Sequence, residues 1–134
     1  SNTFNGIYVF ENGDVSNIPF IDFSRDFYSN YCVEDFAINS DGELAILGCD
    51  GIFNEFSQNG LKQKSIPIGI HNPQFMVSLR QDWFVFNSDG ECFSIYNSEK
   101  FSIPKINSPI LDIATINRSI AILTKEQILV LNVK

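Results

Sequence analysis

One His, one Trp and one Met in 134 residues, and only nine Lys plus Arg, are what this chain conspicuously lacks. The lone histidine, His71, removes most His-dependent catalytic and metal-binding schemes at the outset. Nine cations against sixteen acidic residues give a net charge of −7, the wrong sign for a nucleic-acid or anionic-membrane surface. No apolar run approaches the roughly 18 residues of a membrane span, and no charged-then-apolar leader opens the chain. The three cysteines, Cys32, Cys49 and Cys92, are odd in number and lack C-x-x-C spacing. That argues against both a disulfide framework and a zinc knuckle, and for a reducing, cytoplasmic setting.

What is present is a core. Apolar types make up 44% of the chain and charged types 19%, with thirteen Phe, which is a globular composition for a single domain or part of one. Helical spacing is nearly absent. Short apolar or alternating runs recur instead, punctuated by Asn-Gly, Asp-Gly and Ser-Asp-Gly, and this is an all-β pattern. One helical turn is expected near Phe23 to Tyr28.

The runs repeat. Asp50-Gly51, the strand Ile52–Phe56, the turn Asn59-Gly60 and Ser65-Ile66-Pro67 recur as Asp89-Gly90, Cys92–Tyr96, Asn97-Ser98 and Ser102-Ile103-Pro104. Asn5-Gly6, Ile7–Phe10, Asn12-Gly13 and Asn17-Ile18-Pro19 form a third copy. The half before each turn repeats as well, with Leu44–Leu47, Trp83–Phe86 and Ile120–Leu123 spaced 39 and 37 residues apart. Four short strands in about 37 to 39 residues is the size of one β-propeller blade. The expected organisation is a partial blade over 5–20, full blades over 33–68 and 74–106, and a partial blade over 110–133. Propellers close with about four or more blades, so the expectation is a partial propeller, or one completed by a partner copy.

The run Ile113–Thr124 followed by Lys125–Val130 resembles the repeat of the regulator of chromosome condensation family, and Met76–Ile95 fits its spacing. Ile116 and Ser119 stand where that family carries its glycine and histidine. No Gly-His or Trp-Asp pair marks a WD repeat, so the resemblance is to propeller repeats, WD-like ones included, at large.

Asn39-Ser40-Asp41-Gly42-Glu43 has oxygen side chains at alternate positions, as calcium loops do, but its near copy at Asn87–Glu91 argues for hairpin turns, and neither metal nor cofactor is expected. His71 is expected in an exposed loop, and Cys49, Cys92 and Trp83 in the core. The segment Asp22–Tyr31 exceeds what blade connection requires and is rich in aromatics. Phe23, Arg25, Phe27, Tyr28 and Tyr31 are therefore the candidate protein-binding residues; alternatively Phe23 and Phe27, four apart, cover the blade end and bind nothing. The expected function is a non-enzymatic interaction module whose partner is another protein, the remainder of a propeller or a second copy. The alternative is a glycan- or small-ligand-binding, lectin-like propeller.

Overall fold

The computed structural model describes residues 6–15, 18–27, 30–104 and 106–133. Its two complete sheets are antiparallel meanders. The first full blade runs β5 (Val33–Ile38), β6 (Leu44–Gly48), β7 (Ile52–Phe56) and β8 (Lys62–Pro67), hydrogen-bonded in that order. The second runs β9 (Phe75–Leu79), β10 (Asp82–Phe86), β11 (Glu91–Ser94) and β12 (Glu99–Ser102). A terminal sheet of three strands follows: β13 (Ile110–Ile116), β14 (Ser119–Thr124) and β15 (Ile128–Asn132). The first strands β5, β9 and β13 are neighbours, as the innermost strands of successive propeller blades must be.

Sequence chemistry accounts for this. The second strands are covered on both faces by adjoining blades, so β6 is buried throughout and β10 from Trp83 to Phe86. The fourth strands are outer edges, and β8 carries Lys62, Lys64 and Pro67, which blunt pairing with other chains. The turns Asn39–Glu43 and Asn87–Glu91 are built alike. The Asn side-chain oxygen accepts two N–H groups, from Asp41 and Glu43 (3.0 and 2.9 Å) or from Asp89 and Glu91 (3.1 and 2.9 Å), and the amide donates to the Glu at 2.8 Å. Gly42 and Gly90 take the left-handed backbone (φ 78° and 93°) that completes each three-residue loop.

Three core clusters alternate with the sheets. One lies between the full blades (Leu47, Phe53, Met76, Trp83, Val85), and one between the second blade and the terminal sheet (Phe84, Phe86, Cys92, Ile120, Ile122). The third covers the outer face of the first blade around Ile21, Leu44, Ile46 and Phe56.

The N-terminal segment departs from expectation. In place of the partial blade expected over 5–20 there are four short strands: β1 (Gly6–Ile7) pairs with β4 (Ile21–Asp22), and β2 (Phe10–Glu11) with β3 (Asp14–Val15) across the Asn12-Gly13 turn. Pro19 has no N–H to donate, so pairing resumes after it, with Phe20 N–H donating to Ile7 O at 2.7 Å. Asn5, Ser16, Asn17 and Lys105 lie outside the described residues.

The cysteines also depart from expectation. Cys32 and Cys49 form a disulfide with Cα atoms 5.4 Å apart. The β5–β6 hairpin register sets Val33 opposite Gly48, and Cys49 N–H donates to Cys32 O at 2.9 Å, so the pair closes the hairpin's open end. Spacing along the chain concealed this because strand pairing, not a short motif, joins residues 17 apart. The cytoplasmic expectation rested on unpaired cysteines, and that ground is removed. Cys92 is the free, buried cysteine, and burial together with the Asp82 charge raises its thiol pKa.

Candidate functional site

The expected binding segment folds as cover. Helix α1 (Phe23–Asp26) starts at Asp22, whose carboxylate accepts Ser24 N–H at 2.9 Å and Ser24 Oγ–H at 2.6 Å; these bonds hold its pKa low. Phe27 stacks on Tyr31 with ring centroids 3.8 Å apart, Phe23 meets both rings edge-on, and Phe27 meets Phe56 at 6.0 Å. Lys62 Nζ lies 4.9 Å from the centre of the Phe27 ring. Phe23, Phe27 and Tyr31 thus come together over the first blade, while Arg25 is exposed and paired with Asp26 at 2.8 Å. Tyr28 lies outside the described residues.

This cover docks on the β7–β8 turn. Gly60 (φ 82°) passes so close to the Phe20 carbonyl that a Cβ there would overlap it, which excludes any larger residue without a shift of the hairpin. His71 is exposed between the full blades, its Nε2 3.2 Å from the Asn72 amide, in a polar groove that Glu34, Asp50, Asn87 and Asp89 help to line.

The joints between blades carry the informative chemistry. Between the full blades, Asp35 Oδ1 caps the N–H of Phe36 (2.8 Å) and its Oδ2 accepts the N–H of Met76 on β9 (2.9 Å). Burial raises the Asp35 pKa, the two N–H bonds oppose that rise, and the Asp112 charge adds to it. Further out, Trp83 Nε1–H donates to Glu55 Oε2 at 2.7 Å, with both side chains buried. The next joint, from the second blade to the terminal sheet, centres on an apolar cluster, with Ser94 bonded to Asp82 at its edge and Arg80 Nη1–H donating across it to Val133 O at 2.6 Å. Reasoning from sequence placed Trp83 in the core but missed Asp35 and Glu55. The signal was present: Asp35-x-Ala37 and Ala45-x-Leu47 recur as Asp112-x-Ala114 and Ala121-x-Leu123.

Both ends of the array are open. On the terminal sheet Ile128 and Val130 are 68% and 59% exposed, and Leu123 shares their face. At the other end Phe36 and Ile38 of β5 are 55% and 59% exposed, because the N-terminal hairpin covers only part of that face.

Four-stranded meanders arrayed about their first strands are propeller blades, and solved structures agree. The chain is similar to BamB from Moraxella catarrhalis (17% identity, TM-score 0.54, covering 75% of this chain and 32% of that one). It is also similar to BBS1N, solved in complex with ARL6DN (15% identity, TM-score 0.58, covering 92% and 41%). Both neighbours are β-propeller proteins. The fold is a partial β-propeller. The chain spans about a third to two fifths of the length of these propellers. No family model and no curated protein matches the sequence.

Proposed function

We propose that this propeller segment is a non-catalytic scaffold for protein–protein contact, and that its open blade faces are the contacting surfaces. The carrying observation is the apolar face on β14 and β15, formed by Leu123, Ile128 and Val130. Soluble monomers seldom leave such clusters uncovered, and they mark interaction sites. One propeller neighbour, BBS1N, was solved in complex with another protein, ARL6DN, which supports the reading by analogy of fold.

The test is sedimentation and hydrophobic-dye binding on the isolated chain. The unaltered protein is expected to bind dye and to associate with increasing concentration. Leu123→Glu with Val130→Glu should suppress both while preserving the β-sheet circular dichroism. A monodisperse monomer that binds no dye would overturn the proposal.

A further inference from the structure

The face that the first full blade turns toward the second consists of Asp35 and Ala37 on β5, Ala45 and Leu47 on β6, and Phe53 and Glu55 on β7, aligned by strand register. The terminal sheet repeats it. Asp112 pairs across from Leu123 as Asp35 does from Leu47, and both aspartates sit at a bulge in their first strand. Ala114 opposes Ala121 as Ala37 opposes Ala45. Asp112 Oδ1 caps the N–H of Ile113 at 2.8 Å, as Asp35 Oδ1 caps that of Phe36. The difference is what lies outside: Asp35 Oδ2 accepts Met76 N–H from the neighbouring blade, whereas Asp112 Oδ2 accepts no hydrogen bond among the described residues.

We propose that this outer face of the terminal sheet docks a further four-stranded blade, with Asp112 accepting a backbone N–H from that blade's first strand. The inference deepens the scaffold reading by naming the partner's chemistry. At the place of Met76 the incoming first strand presents an N–H that no side chain of its own caps. Where the second full blade has Trp83, the incoming second strand carries a large apolar side chain without a donor, because Val130 stands where Glu55 accepts the indole. Beside it, β15 awaits a fourth strand. Its run Ile-Leu-Val-Leu-Asn has none of the Lys or Pro residues that protect β8.

A second copy of the chain does not meet this description. The face it could offer is that of β5, where the Phe36 N–H is already held by Asp35, and where the N-terminal hairpin and the rings of Phe23, Phe27 and Tyr31 already take up space.

The register designs the test. Leu131 aligns with Phe56, so Val133 aligns with Gln58, and residues 59–106 appended after Val133 would supply the fourth strand of the terminal sheet and then a whole blade. The appended copy carries Phe in place of Trp83. In this extended chain the copied Met76 amide is expected to exchange slowly with solvent, and Asp112→Asn should speed that exchange at least ~10-fold and lower Tm by roughly 2–4 °C. The same substitution in the unextended chain should shift Tm by less than about 1 °C. Asp35→Asn in the unextended chain is the control, expected to expose the original Met76 amide. An appended blade that stays unprotected, or an Asp112→Asn effect equal in both chains, overturns the proposal. So does a dimer of the unextended chain that Asp112→Asn weakens, since the occupant would then be a second copy. A loss of self-association in the unextended chain would instead count against the scaffold reading alone.

Discussion

Trp83 and Glu55 pair with one another beside the apolar cluster of the first joint. The indole N–H and the carboxylate meet at 2.7 Å, and Lys64, at 3.8 Å from the other carboxylate oxygen, offers Glu55 a second and looser contact. Trp83→Phe keeps much of the ring area but leaves a buried acceptor unmatched, which costs about 1–3 kcal/mol. Urea unfolding should show a loss in that range, and adding Glu55→Leu to Trp83→Phe should recover part of it, because two apolar groups leave nothing unsatisfied. Asp35 makes a prediction of opposite kind. Burial raises its pKa from the ordinary 3.8, so the folded chain holds this proton more tightly than the unfolded chain. Its contribution to stability is therefore greatest at low pH and declines as pH rises from 3.8 through the folded value. Unfolding free energies stepped upward from pH 3.8 should fall less steeply in Asp35→Asn than in the unaltered chain; equal slopes would show that another group carries the dependence.

At the level of elements, α1 and its aromatic neighbours separate two roles that one stretch of sequence can play. The stacking of Phe27 on Tyr31 and its edge contact with Phe56 make it part of the first blade's wall. Phe27→Ala should cost about 2 kcal/mol, less than the roughly 3–5 of a fully buried Phe because the ring is only partly buried. Unchanged melting together with weakened association would instead give the segment the binding role that its composition suggested. The strands show why some elements were legible and others not. β7 begins and ends where the turns Asp50-Gly51 and Asn59-Gly60 require, since glycine in the left-handed region leaves the chain few alternatives. β1 and β2 have no fully buried residue, so an apolar run alone overstated the strand there. The disulfide and the Glu55–Trp83 pair were illegible for a shared reason: each partner comes from strand or blade register, which sequence spacing does not display, whereas Asp35 left a trace in its recurrence as Asp112.

For the whole molecule, the two interior joints are of different kinds. The first is latched by Asp35 with Met76 and by Glu55 with Trp83; the second holds an apolar cluster, with Phe75 at the place of the aspartate, and is spanned at the surface by Arg80 Nη1–H donating to Val133 O at 2.6 Å. The terminal sheet then returns to the first blade's residues, two blades further on. The face of the first full blade thus recurs at the second sheet along and is absent from the sheet between. A circle of such blades has a parity. Each latched face needs a neighbour without its own aspartate, so a ring that keeps the alternation all the way round closes only on an even number of blades.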